Sequence, residues 1–299
     1  DLGCQTQAPV DVVVWTNEEG SRFAPAMIAS GVYAGLFSRE FALSRQDQDG
    51  ITQGKALAES GFAGTEPCGE RQFGALLEAH IEQGPILEAN QNAIGVVTGG
   101  QGSIWHEITL TGQDAHAGST PMAARQDALV AAARITTAVQ EVAQRYPPYG
   151  VGTVGTLEVK PNSRNTIPGE VFLTVDIRHP DYTTLCQMDS DLRTELDSIS
   201  TMERVHISLK QIWDNPPAVF DERIVGIVRD AAVALGYRHQ DIVSGAGHDA
   251  CQVSRVAPTG MIFVPCADGV SHNEAESADP VDLEQGCNLL LRAVMELAG

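Results

Sequence analysis

The stretch VVVWTNEEGSRF, residues 12–23, sets the reading of this chain. Val12, Val13, Val14 and Trp15 form a short apolar run of the kind a buried strand takes, and the acids Glu18 and Glu19 with Gly20 follow at its end. Adjacent carboxylates at the mouth of a sheet repel and desolvate one another unless a cation sits between them or one keeps a proton. A metal would divide their work, one acid ligating and the other moving protons. The alternative is two solvated acids in a loop.

Further candidate ligands lie far along the chain. His80 sits in LLEAHIEQGP, after an apolar run and just before a Gly-Pro breaker, and His272 follows the apolar run Met261 to Val264. One Glu and two His, each beyond an apolar stretch, form a His/His/carboxylate set suited to a divalent metal. The spacing is not that of a compact zinc motif, and a lone His at a strand end is more often a structural hydrogen-bonder.

The strings TNEEGSRF, HIEQGP, GQDAHAGSTPM, PNSRNTIPG, DIRHPD, SGAGHDA and SHNEAE, in this order, resemble the marker segments of the N-carbamoyl-L-amino-acid amidohydrolase family. That family comprises L-carbamoylases, beta-ureidopropionases and allantoate amidohydrolases, within the dinuclear metallopeptidase and aminoacylase superfamily. The resemblance implies hydrolysis of the carbamoyl C–N bond of a small anionic ureido acid. It implies two divalent ions per complete site, with zinc, manganese, cobalt and nickel all suited to the ligands. By position it makes Glu18 the proton shuttle and Glu19, His80 and His272 metal ligands. Arg178 and Asn165 become substrate-carboxylate binders, His116 an oxyanion stabiliser, and Gln83 and His248 lining residues of the pocket. Some of these residues reach across a dimer interface in the family.

The same pattern exposes a difference. The family carries a further His ligand and a metal-bridging Asp ahead of this region, whereas here no His precedes His80 and only Asp1 and Asp11 precede Glu18 as acids. Asp11 opens the strand expected to end at the acidic pair and is too far away to bridge. The expectation is a chain lacking its N-terminal region, which by itself hydrolyses no ureido substrate, with Asp249 and His248 the first substitute ligands to test otherwise. The rival readings are a dinuclear peptidase or aminoacylase, and a non-catalytic fragment.

The chain has 299 residues, 43% of them hydrophobic, enough for a sizeable core and for two domains. No apolar run approaches the ~18 residues of a membrane span, and no signal region stands at the N-terminus, so a cytoplasmic location is expected. Cys4, Cys68, Cys186, Cys251, Cys266 and Cys287 are scattered without CxxC pairs, as reduced and mostly buried thiols would be. A net charge of −20 argues against nucleic acid, so an anionic substrate must be bound by local Arg and backbone donors.

Periodicity supplies the architecture. A strand over Ile104 to Thr111, a helix from about Ala123 to Tyr146, strands Val151 to Val159 and Val171 to His179, a helix through Leu185, Met188, Leu192, Leu196 and Ile199, and a strand Val205 to Trp213 follow the split beta-alpha-beta, ferredoxin-like order. This makes residues 99–213 an inserted lid and dimerisation domain. Residues 1–98 and 214–299 form a discontinuous α/β metallohydrolase domain with an open mixed sheet. In the strand ending at His179, Arg178 shares the open face with Asp176, so on geometry alone it either clamps a carboxylate or pairs with Asp176 or Asp181. A sheet covered on one face leaves an edge and a face for a second copy, hence a homodimer. His106, His179, His206 and His239 match no site position and are expected at the surface.

Overall fold

The computed structural model describes residues 5–299, so Asp1 and Cys4 lie outside the described residues. In chain order the elements are α1 (Ile28–Tyr33), α2 (Arg39–Leu43), α3 (Gln53–Ser60), β1 (Leu76–Ile81), α4 (Ile86–Ala89) and β2 (Ile94–Gly100). There follow β3 (Gly102–Thr111), β4 (Ala115–His116), α5 (Ala128–Gln144), β5 (Val151–Lys160), β6 (Thr166–Ile167), β7 (Glu170–His179), α6 (Tyr182–Glu203) and β8 (His206–Asn215). The last are β9 (Ala218–Val219), α7 (Glu222–Leu235), β10 (His239–Ser244), α8 (Asp249–Val253), β11 (Thr259–Val264) and α9 (Pro280–Ala298). Two compact units result: one from the residues up to Gly100 with Ala218–Gly299, the other Gln101–Pro217.

The first unit is built on a mixed sheet in the order β1-β11-β2-β10, with the short β9 also on β2. β1 and β11 run parallel, as do β2 and β10, while β11 and β2 are antiparallel. β11 is buried along its whole length, as its unbroken apolar run demands of a central strand. α7 and α9 pack on this sheet, each beginning at an Asp whose side chain accepts from backbone N–H groups of its first turn (Asp221 and Asp279).

The second unit is a four-stranded antiparallel sheet, β5-β7-β3-β8, with α5 and α6 against its aliphatic face. β7 shows why: Val171, Leu173, Val175 and Ile177 alternate into the core while Phe172, Thr174, Asp176 and Arg178 do not. On α6, Leu185, Met188, Leu192, Leu196 and Ile199 recur at helical spacing and all are buried. Each such Leu contributes about 1.5–3 kcal/mol of burial, so Leu192→Ala would cost about 2–5 kcal/mol. α5 starts at Ala128 and not near Ala123, because Asp127 accepts from the N–H groups of Leu129 and Val130 and caps the helix there.

The run Val12 to Trp15 is not a strand. Residues 9–15 have no ladder partner among the described residues, and Val12 and Val14 are 94% and 88% exposed. An apolar run becomes a strand only where a neighbour supplies hydrogen bonds. Here Trp15 finds its burial otherwise, against Tyr33 and Phe73 at ring distances of 5.7 and 6.5 Å. His106 and His179 also depart from expectation, both being buried, and His106 lies 2.6 Å from an Asp189 carboxylate oxygen. Both occupy core-facing positions of their strands, which strand alternation dictates whatever the residue type. Of the five cysteines described, all free thiols, Cys68, Cys186 and Cys287 are exposed and not buried. Among the described residues no helix is long and apolar enough to cross a membrane.

Candidate active site

The acidic pair stands on a tight loop. Asn17 holds a left-handed φ of 59° and its side-chain amide donates to the Phe23 carbonyl at 2.6 Å, while the Met27 N–H donates to the Glu18 carbonyl at 2.6 Å. Gly20, at φ 67°, is required here, since a Cβ would stand 2.5 Å from the Ala26 nitrogen. The loop separates the two acids: Glu18 is half-buried and Glu19 is exposed.

His80 lies near the carboxyl end of β1, beside Phe263 of the parallel β11. Its Nδ1 lies 2.8 Å from the Ile81 carbonyl oxygen. A proton on Nδ1 satisfies that contact and leaves Nε2 as a lone-pair donor. Downstream of β11, His272 holds a left-handed φ of 55°, and its N–H donates to Glu276 at 3.0 Å. Gln83, at φ 59°, donates to the Ser271 hydroxyl at 3.0 Å and lies 3.4 Å from His272 Nε2. Such strained backbone persists only where its surroundings over-determine it. Glu19, His80, Gln83, His272, Asn273 and Glu276 together line an open cleft of about 420 Å³.

Behind the cleft lies a buried polar layer. The His248 ring packs 4.6 Å from that of His80, its Nε2 is 2.9 Å from the Ser244 hydroxyl, and its Nδ1 is 3.7 Å from Glu78. Glu78 accepts from the Ala250 N–H at 2.9 Å, and the Ser30 hydroxyl donates to Asp249. Burial, then the charges of Asp249 and Glu19, push Glu18 up to about 6, with His272 pulling the other way. Burial likewise lifts Glu78 to about 7, against the Ala250 hydrogen bond, and Asp249 to about 6, against the Ser30 hydrogen bond. Burial and the neighbouring His80 lower His248 to about 3.

The donor set of one carboxylate and two imidazoles fits a divalent first-row metal, and a cation would favour the ionised forms of the carboxylates crowded behind it. The three expected ligands share a cleft without forming a closed cage: among the described residues no group of three or more His, Cys, Asp or Glu is set to hold a metal ion. Glu78, Ser30 and Glu276 were absent from the sequence reading. Glu78 carried a signal, since it lies two residues before His80 and so on the same strand face. Ser30 carried none.

In the second unit His116 and Asn165 come together. β4 pairs with β6, placing His116 opposite Thr166, and the Ala117 N–H donates to the Asn165 carbonyl at 2.9 Å. His116 Nδ1 accepts from the N–H groups of Gly118 and Ser119, both at 3.1 Å, which puts its proton on the exposed Nε2. Arg178 sits elsewhere. The β4–β6 pair joins the Glu170 end of β7, where Gly112 N–H donates to the Gly169 carbonyl at 2.7 Å. From that end to Arg178 is roughly 27 Å of strand at ~3.4 Å per residue. The Arg178 guanidinium is engaged by Asp176 at 2.6–3.0 Å, so any carboxylate ligand must share or displace that partner.

The comparisons agree with this picture. The family described as Peptidase family M20/M25/M40 matches residues 1–296. The sequence is 49% identical over 298 residues to an N-carbamoyl-L-amino-acid amidohydrolase of Rhizobium meliloti, covering 100% of this chain and 72% of that protein. It is 34% identical to an allantoate amidohydrolase of Bacillus subtilis, over 97% of this chain and 71% of that one. A hydantoinase/carbamoylase-family amidase from Burkholderia multivorans superposes with a TM-score of 0.96 at 55% identity, covering 99% of this chain and 72% of that one. The chain therefore belongs to peptidase family M20/M25/M40, in its N-carbamoyl-L-amino-acid amidohydrolase group, and is a hydrolase of linear amide C–N bonds.

Proposed function

We propose that this protein is a metal-dependent amidohydrolase that cleaves the carbamoyl C–N bond of N-carbamoyl amino acids or related ureido acids. The observation that carries this reading is the meeting of Glu19, His80 and His272 on one cleft, with Glu18 half-buried beside them. Glu19, His80 and His272 would hold a divalent cation, and such a cation, when bound, would supply the positive charge that polarises a ureido carbonyl and acidifies water. Glu18, with a proton affinity raised by burial and by Asp249, takes the proton of the attacking water and passes it to the leaving nitrogen. Water oxygen bonds to the carbamoyl carbon, the C–N bond to the amino acid breaks, and the released carbamate decomposes to CO2 and ammonia. His116, with its proton on Nε2, donates to the oxygen that gains negative charge. Arg178 of one copy and Asn165 of the other bind the substrate carboxylate, the guanidinium exchanging or sharing Asp176. Gln83 and His248 shape the pocket.

The protein acts as a homodimer through the second unit. Two observations support this: the exposed Trp105 and Trp213 lie 5.7 Å apart in a cross-strand pair on the sheet's open face, and His116 and Asn165 lie at the opposite end of β7 from Arg178. The second is what two copies serving each other's sites would need. Exposed free thiols at Cys68, Cys186 and Cys287 suit a reducing, cytoplasmic location.

The test is ammonia and amino-acid release from N-carbamoyl amino acids, measured beside N-acyl amino acids and dipeptides, before and after chelation. In a protein that also carries the upstream His and Asp ligands the resemblance implies, the expected result is turnover of the ureido substrates that chelation abolishes and divalent metal restores. Preference for N-acyl or dipeptide substrates would assign the chain to the peptidase or aminoacylase chemistry of its family.

A further inference from the structure

Three hydrogen-bonding layers separate the Glu18 loop from the sheet, and they form one continuous chain of contacts. The Glu18 carbonyl accepts from the N–H of Met27, which stands at the head of α1 with a left-handed φ of 53°. One turn on, Ser30 is fully buried and its hydroxyl donates to Asp249, itself 3% exposed, at the start of α8. The neighbouring Ala250 N–H donates to Glu78 of β1 at 2.9 Å, two residues before His80. Met27 makes two further contacts: its methyl carbon closes over Gly247, where a Cβ would stand 2.8 Å from it, and the Gln252 side-chain amide donates to its sulfur at 3.9 Å. α1 is a helix of only 6 residues, too short to hold its place by its own hydrogen bonds. Its position is therefore set by its tertiary contacts: Ile28 is fully buried, Tyr33 stacks on Phe73, and towards α8 the contacts are those of Ser30 and Met27.

We propose that Asp249 is a positioning residue: through Ser30 it fixes α1, and through the Met27–Glu18 backbone bond it holds the Glu18 carboxylate in register with the strand that carries His80. The proposal rests on the reading of Glu18 as the proton-transferring group for its effect on turnover, though not for the brace itself. A buried Asp with a single hydroxyl partner in a helix's first turn is otherwise a costly choice, and a neutral side chain would fill that space without crowding Glu18 and Glu78.

The experiment is hydrogen–deuterium exchange on the protein and its Ser30→Ala, Asp249→Asn and double variants, with steady-state kinetics on the same samples. Ser30→Ala is close to isosteric and tests the link even where Asp249→Asn folds poorly. The expected result is exchange in residues 18–27 faster by roughly tenfold in each single variant, no faster in the double, and unchanged in α9 and in the second unit. Together with this, kcat should fall roughly ten- to a hundredfold while KM is retained. Unchanged exchange in residues 18–27, effects that multiply in the double variant, faster exchange throughout the protein, or a rise in KM with kcat retained would each overturn the proposal. If the unmodified protein releases no ammonia from ureido substrates, the functional reading fails, and the exchange pattern alone decides the brace.

Discussion

In the first unit Glu19, His80, Gln83 and His272 converge on one cleft, with Glu18, Glu78, His248 and Asp249 behind it, whereas in the second unit His116 and Asn165 stand at one end of a ten-residue strand and Arg178 near the other. The difference follows from how each unit brings distant sequence together. Parallel β1 and β11 deliver their following segments to the same edge, so residues nearly two hundred positions apart meet there. Antiparallel β3 and β7 instead send successive connections to opposite edges, so a site drawn from both edges of one copy would be split. The first unit brings its candidate residues together in one place, and the second holds its candidates at two separate ends of one strand.

Substitutions at the acidic pair should produce the largest effect and divide the cleft by role. In the enzyme extended upstream to include a His and an Asp ligand, Glu18→Gln should keep metal and lose turnover by roughly a hundred- to ten-thousandfold, the usual range for removing a general base. Glu19→Gln should lose metal as well, read by metal analysis of the purified variants. Equal metal loss in both would make the two acids equivalent ligands.

A smaller effect is expected at the far end of β7. Arg178→Lys keeps the charge but loses the two-pronged guanidinium geometry, so the KM of a carboxylate-bearing substrate should rise roughly tenfold relative to its carboxamide analogue. An unchanged ratio would leave Arg178 as the local partner of Asp176 and remove it from substrate binding.

The smallest effect separates scaffold from site within the second unit. Burial pushes the Asp189 carboxyl up, but hydrogen bonds from His106 and Arg193, and their charges, more than offset this and hold it below the usual carboxylate range. A depressed folded-state value contributes stability above the unfolded-state value, and that stability is lost as the pH falls through the folded one. Asp189→Asn, which leaves the buried His106 without its charged partner, should cost about 1–3 kcal/mol at neutral pH in urea unfolding. The gap to the unmodified protein should narrow as the solution is acidified, and turnover at neutral pH should be retained by the folded fraction. A gap independent of pH would mean that the pair contributes no charge-linked stability.

Periodicity made the second unit legible almost residue by residue, because its helices and strands bury one face each: the spacing of Leu185 to Ile199 and the alternation of Val171 to Ile177 can be satisfied only by a helix and a half-buried strand. Val12 to Trp15 misled because apolar content reports a wish for burial and not the presence of a ladder partner, and Trp15 met that wish among Tyr33 and Phe73. His106 reads as a surface residue because it matches no site position of the family, although its place in the alternation of β3 points it inward. The marker strings hold Glu19, His80, Gln83 and His272, which the structure brings to one cleft. They could not show that Ser30 reaches Asp249 across 219 positions of sequence, since neither residue stands in a local pattern that demands the other. Nor could they show the separation of His116 from Arg178, which depends on the sheet's connectivity and length.

That separation yields the most direct test of the central claim, that the cleft of one copy works with the His116 end of another. Glu18→Gln and His116→Ala variants of the enzyme extended upstream to include a His and an Asp ligand, each inactive by itself, would be combined into verified heterodimers and assayed for ammonia release from an N-carbamoyl amino acid. The account predicts recovered activity, because one of the two sites then pairs an intact Glu18 with an intact His116 from the other copy. Heterodimers as inactive as either parent would place His116 in the site of its own copy or outside catalysis, and would contradict the two-copy account.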